Sequence, residues 1–331
     1  MISALVLSAV SAALFAAPTL PAAVAGYARW DAFGHHAIAA IAYDRLRPAT
    51  RARVDSLLRA HPDITMLGRG LDLRTTDGAR DLFLRSSVWP DQIRRDPRFH
   101  DETDAAVPAT PLLSGYPDMH RRAGWHYMSR SFSTDGTPVQ QLAPVNTVTR
   151  IAGLANDLAD RRLPLATHAY NLSWVVHVVG DLHQPLHGTS RASRQLPNGD
   201  AGGNALQVQY GPLAGDSINL HAFWDGLLGR ANRGGSAVAV GRELAAAMPE
   251  AADSPDRRIA RGPALETALV AWADESETLA RYVVYEVGMR ADGAVPPPTS
   301  AAYVALATAI ARQRITLAGY RLAALLELQL N

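Results

Sequence analysis

The 331-residue sequence predicts an all-α fold, a single compact multi-helix domain, on three observations. Apolar residues recur at helical spacing along most of the chain, and strand-type alternation is confined to one short stretch. The 48% of apolar residues suffices for one large core, with no linker long enough to divide it. Ile38, Ile41, Ala42 and Leu46 form the first stripe, Val54, Leu57 and Leu58 the second, and Pro48 punctuates between them. Further stripes run through Val148 to Leu158, His168 to Leu182, Leu220 to Leu228, Val238 to Met248, Leu265 to Val287 and Tyr303 to Leu328. The intervening loops are marked by Gly68 and Gly70, by a polar stretch from His100 to Arg122 carrying Pro108, Pro111 and Pro117, and by Gly202-Gly203. Within the last of these, Ala205 to Tyr210 alternates, so a short strand or β-hairpin is expected in the 189–218 loop.

Composition removes several kinds of chemistry. The chain has no Lys, which excludes Schiff-base lysine catalysis and a phosphate-loop nucleotidase. It has no Cys, which excludes disulfides, thiolate catalysis and cysteine-ligated zinc. A formal net charge of +1 argues against a basic nucleic-acid-coating domain. From Met1 to Ala28 no residue is charged; Ala4 to Phe15 suits a signal-peptide core, Pro18 and Pro21 break a membrane span, and Ala23-Val24-Ala25 suits signal peptidase. Residues 1–25, or up to 29, are therefore expected to be an export signal, with residues 30–331 the functional domain and a periplasmic or secreted destination.

The histidines keep informative company. His177 and Asp181 stand four apart in an otherwise apolar helix, and His221 and Asp225 repeat that spacing, so each pair projects from one helical face. A carboxylate buried without a cation is costly, and a metal ion removes the cost. Pro185 ends or kinks the first of these helices, so His187 follows on a redirected backbone and can serve a different ion from His177. With His35, Asp91 and His126 the set comprises imidazoles and carboxylates without thiolate, which suits zinc better than magnesium. His36, His168 and His183 are expected to stand outside the ligand set, and Trp174, Trp224 and Trp272 in the core.

Six groups of residues now carry a specific resemblance: Trp30-x-x-x-Gly34-His35, Trp89-x-Asp91-x-x-Arg94, Trp125-His126-Tyr127, His177-x-x-x-Asp181-x-His183-Gln184-Pro185-Leu186-His187, Asp200-x-Gly202-Gly203-Asn204 and Asn219-Leu220-His221-x-x-Trp224-Asp225. In this order they resemble the S1/P1 nuclease family, exported zinc enzymes of the phospholipase C/P1 nuclease fold. The likeness extends to Gly319-x-Arg321-Leu322-Ala323 near the C-terminus.

The resemblance implies three zinc ions. One is held by Asp91, His126, His177 and Asp181; a second shares Asp181 and takes His35 with the α-amine and carbonyl of Trp30; the third takes His187, His221 and Asp225. It also implies hydrolysis of phosphoesters in single-stranded DNA and RNA to 5′-phosphorylated products by metal-activated water, with 3′-nucleotides as further substrates and no membrane partner. In that scheme Asp91 orients the water, Arg94 holds the scissile phosphate and Tyr127 stacks a nucleobase. Three Zn²⁺ against three carboxylates leave a local excess of about +3, which attracts an anionic substrate despite the near-neutral chain. The chain departs from the family pattern in carrying Asp31 where Gly usually follows the N-terminal Trp, and Arg29 before it. Competing readings are a zinc phospholipase C, whose relatives use Glu where Asp225 stands, and an exported zinc-binding protein without catalysis.

Overall fold

The computed structural model describes residues 32–102, 110–209, 217–231, 235–249, 259, 261–285 and 299–331, and these are mostly helical. Helix α1 (Ala32–Arg45) is buried nearly all round, with Ala37, Ala39, Ala40 and Ala42 letting its neighbours approach. It is followed by α2 (Pro48–Leu58), α3 (Ile64–Leu67), α4 (Thr76–Ser86) and α5 (Trp89–Ile93), the last carrying Asp91. Further along the chain a short 3₁₀ turn (Ala123–Trp125) is followed by strand β1 (Arg130–Ser133), α6 (Thr147–Ala159) and α7 (Leu165–Leu182). Asn146 starts α6 with a capping box, its side chain accepting from Val148 and Thr149 while the Thr149 hydroxyl accepts from its backbone.

Helix α7 is the axis of the site. Every residue from His168 to Leu182 is buried, so each polar group on it needs a partner inside the protein. It ends where Pro185 demands: Gln184 is extended (φ −83°, ψ 121°), and Pro185 opens the short α8 (Pro185–Gly188) that carries His187. Its last carbonyls are taken by other helices. Ser276 of α12 (Pro263–Leu279) donates its hydroxyl to Leu182 at 2.6 Å, and Arg314 of α13 (Ala301–Leu330) donates Nε to His183 at 3.1 Å. Glu275 joins the buried Arg314 and Arg321 at 2.5 and 2.7 Å, and Arg321 donates to His183 Nε2. Burial, reinforced by those guanidiniums, holds the His183 ring well below its ordinary pKa, so it is neutral and packs rather than ligates. Helix α13 lies along α1, α11 (Ala237–Ala247) covers another side of α1, and α6 packs against α7.

The expected strand content of the 189–218 loop is present as β2 (Thr189–Ala192), β3 (Gln207–Gln209) and β4 (Ser217–Asn219), of which β3 and β4 pair antiparallel. β4 runs directly into α9 (Leu220–Asp225), which carries His221 and is followed by α10 (Leu227–Ala231). Two features depart from the periodicity. β2 pairs parallel with β1, a strand with no alternation to announce it, because the pairing is supplied by a segment 59 residues away, as in the Thr189 hydroxyl bond to Arg130. The stripe expected from Leu265 to Val287 is α-helical only to Leu279 and continues as a π-helical turn, Ala280–Val284. Among the described residues no helix is long and apolar enough to cross a membrane.

Candidate metal centre

The helical spacing of His177 and Asp181 brings His177 Nε2 to 3.1 Å from Asp181 Oδ2. His126, arriving from the turn after Trp125, places Nδ1 2.9 Å from that oxygen and 3.0 Å from His177 Nε2. Asp91 Oδ1 stands 3.9 Å from His177 Nε2. The other Asp181 oxygen lies 3.4 Å from His35 Nε2 and 3.4 Å from His187 Nδ1. The His35 ring stacks on His177 at 4.1 Å, an approach that a side chain at position 180 would block: a Cβ on Gly180 would lie 2.9 Å from His35 Nδ1. Trp30, Asp31 and the residues expected to form an export signal lie outside the described residues.

A second set stands beside the first. His187 Nε2 and His221 Nε2 are 3.1 Å apart, with Asp225 Oδ2 3.4 Å from His221 and Asp225 Oδ1 4.0 Å from His187. The other nitrogen of each ring donates to a backbone carbonyl, His187 Nδ1 to His126 at 2.9 Å and His221 Nδ1 to Gly202 at 2.7 Å. In the neutral rings both Nε2 atoms therefore present lone pairs to one another. Two lone pairs at that distance repel unless a cation lies between them. In a tetrahedral zinc shell with bonds of about 2.0–2.1 Å, ligand atoms stand about 3.3 Å apart; the candidate ligand atoms stand 2.9–3.9 Å apart in the first set and 3.1–4.0 Å in the second. His177 is oriented in the same way, Nδ1 donating to Ser87 at 2.8 Å. His126 and His35 turn Nδ1 and Nε2 respectively toward Asp181, and among the described residues the opposite nitrogen of each ring has no protein partner. The donor set fits zinc.

The electrostatics of the protein side agree. Burial raises the Asp181 carboxyl, but His177 and His187 with the bonds from His126 and His177 outweigh it and hold it well below the usual range. Burial disfavours the charged His177 ring, yet Asp181 and Asp91 raise it to about 9, while burial lowers His126 and takes His187 to about 4. A stability maximum near pH ~6.5 follows for the ion-free protein. The His177 contribution is complete below its unfolded value and is lost as pH rises through about 9. Below ~6.5 the unfolded chain protonates the rings that the fold keeps neutral, so stability falls there too. Urea unfolding of chelator-treated protein from about pH 4 to about pH 10 checks this, and a monotonic rise across that range would contradict it.

Asp91 and Arg94, with side chains 40% and 41% exposed, form the open rim of the first set, 3.5 Å apart, so a substrate can reach both. Tyr127 is partly buried and its ring lies 4.9 Å from that of His187; burial raises its hydroxyl pKa above the ordinary value, against the opposing charge of Arg94. His168 bonds the Asp160 carbonyl away from the centre. Sequence reading missed the orienting groups. The Ser87 carbonyl carries no residue-type signal, and Gly202 was legible only as a loop-shaping residue. Its φ of +61° and a would-be Cβ 2.4 Å from the Leu186 carbonyl explain the glycine, whose own carbonyl receives His221.

Fold and site together define a helical protein built around neighbouring clusters of imidazole and carboxylate ligands. The chain belongs to the S1/P1 nuclease family, whose model, described as S1/P1 Nuclease, matches residues 30–331. Nuclease S1 of Aspergillus oryzae is 30% identical over 175 residues, covering 50% of this chain and 56% of that protein. Nuclease P1 of Penicillium citrinum is 32% identical over 92 residues, 28% of this chain and 30% of that protein. The chain thus spans about half the length, or less, of the curated relatives it matches.

Proposed function

We propose that this protein is an exported zinc-dependent phosphodiesterase that hydrolyses single-stranded DNA and RNA to 5′-phosphorylated products and also acts on 3′-nucleotides. One observation carries the reading: the Nε2 atoms of His187 and His221 converge beside Asp225, next to the His126, His177 and Asp181 set. Family membership and the names of the two relatives support the nucleic-acid substrate. Asp91, His126, His177 and Asp181 would hold one ion, Asp181, His35 and Trp30 a second, and His187, His221 and Asp225 a third. Zinc held by these residues would supply Lewis acidity, making water a better nucleophile near neutral pH and offsetting developing negative charge.

The chain's own groups do the rest. Asp91 accepts a hydrogen bond from the attacking water and orients it. Arg94 offers a planar fork to the phosphate oxygens, and Asp91, 3.5 Å away, holds that fork at the rim. Tyr127 offers its ring to an unpaired base, which a duplex does not expose. Purified mature protein is expected to contain about three zinc ions per chain and to cleave single-stranded DNA, RNA and a 3′-nucleotide, with activity lost on chelation and restored by zinc. Magnesium or no metal in active protein, or preference for phosphatidylcholine, would refute the reading.

The second ion also sets the mature N-terminus. A chain retaining Arg29 has an amide at Trp30, a poor zinc ligand beside a free amine, which leaves His35 and the shared Asp181 too few to hold that ion firmly. Processing is expected to expose Trp30, and a chain starting at Gly26 to bind less zinc and turn over more slowly than one starting at Trp30. N-terminal sequencing checks the first part; equal metal content and activity in the two chains would contradict the second.

A further inference from the structure

Gln184 belongs to none of the ligand sets, yet it is fully buried between two of their elements. Its Nε2 donates to Asp225 Oδ1 at 2.7 Å, and its Oε1 accepts the backbone N–H of Leu186. The amide has only one workable orientation. Turned over, its NH₂ would face the Leu186 N–H and its oxygen would face the carboxylate, so both contacts would become repulsive. Asp225 lies at the end of α9 and Leu186 in α8, beside His187, so one side chain ties together the two short helices that supply this set. It also distinguishes the carboxylate oxygens: Oδ1 is engaged by Gln184, while Oδ2 is the oxygen 3.4 Å from His221 Nε2.

We propose that Gln184 is a positioning residue for the His187, His221 and Asp225 set: it holds Asp225 so that Oδ2 alone is presented to the ion and keeps that carboxylate in register with His187. The proposal rests on the reading that this set binds an ion. A carboxylate without its donor is free to rotate, and can then present both oxygens and fill a coordination position that substrate needs. Gln184 therefore sets the affinity of one ion and the open positions around it, while leaving the Asp91, His126, His177 and Asp181 set untouched.

The test compares unaltered protein with Gln184→Met, which keeps length and bulk but can neither donate nor accept, and with His221→Ala, which removes a ligand of the same set. Zinc is counted by elemental analysis after equilibration with chelators of graded strength, and folding is followed by circular dichroism. Gln184→Met is expected to bind one ion roughly 10- to 100-fold more weakly and to retain the others with unchanged helicity. His221→Ala should lose that same ion. If His221→Ala keeps its full zinc content, the ion-site reading fails; if it loses one ion while Gln184→Met binds all ions normally, that reading stands and the positioning role is overturned. Should Gln184→Met not fold, the unaltered protein decides the matter through ¹⁵N-glutamine labelling. One side-chain amide should be protected from solvent exchange and should shift with the zinc equivalent that His221→Ala lacks. The absence of any such protected, zinc-responsive amide would overturn the proposal.

Discussion

Asp181→Asn is expected to abolish most of the activity and to reduce zinc content by more than one ion. The carboxylate touches four histidines drawn from separate parts of the chain: His126 and His177 through Oδ2, His35 and His187 through Oδ1. Asparagine preserves the shape but removes the charge, and it turns an NH₂ group toward nitrogens whose lone pairs are needed for metal. The anion that compensates His177, and that would hold neighbouring metal ions together, is then gone. Metal-derived stabilisation of a transition state amounts to several kcal/mol, so a fall of roughly 10²- to 10³-fold or more in kcat/KM is expected. Steady-state kinetics with elemental analysis checks this, and full zinc content with near-normal turnover would show that Asp181 bridges nothing.

Glu275→Leu should be the most damaging change away from the metal ligands. Glu275 compensates Arg314 and Arg321, whose side chains are only 3% and 2% exposed, and its loss leaves two buried guanidiniums facing one another. Breaking a buried pair from one side costs about 3–5 kcal/mol, and the lower end applies here because the Glu275 side chain is 34% exposed and water supports part of the network. The damage is directional. Arg314 takes the His183 carbonyl between Asp181 and His187, so the bend joining the two ligand sets loosens first. Urea unfolding of zinc-loaded protein should show a loss of about 3 kcal/mol, accompanied by weaker retention of the ion at His187. A change below about 0.5 kcal/mol would show that the network is solvated and carries little.

Much of the architecture was legible because helix periodicity is a local property. The stripes at Val148 to Leu158 and His168 to Leu182 lie inside α6 and α7, and the break foreseen at Pro185 occurs where the missing N–H and the constraint on Gln184 require it. Helix α4 was overlooked although Ala79, Leu82, Phe83 and Ser86 follow helical spacing and Thr75 caps it; its polar remainder concealed a narrow stripe. The strand Arg130–Ser133 was not legible at all, since four residues without alternation become a strand only when Thr189–Ala192 comes alongside.

The sequence by itself determined the ligand chemistry and the two His-x-x-x-Asp pairs, because a helix sets an i,i+4 neighbour without help from the rest of the chain. Only the tertiary structure decided which pairs meet and which nitrogen of each ring faces inward. The N–H of His177 is claimed by Ser87, 90 residues earlier, that of His187 by His126, 61 residues earlier, and that of His221 by Gly202. A backbone carbonyl has the same chemistry at every position, so no residue type in the sequence marks it. What selects it is the burial of the three rings among packed helices, which sets a backbone acceptor beside each Nδ1 and turns the remaining lone pairs toward the two sets.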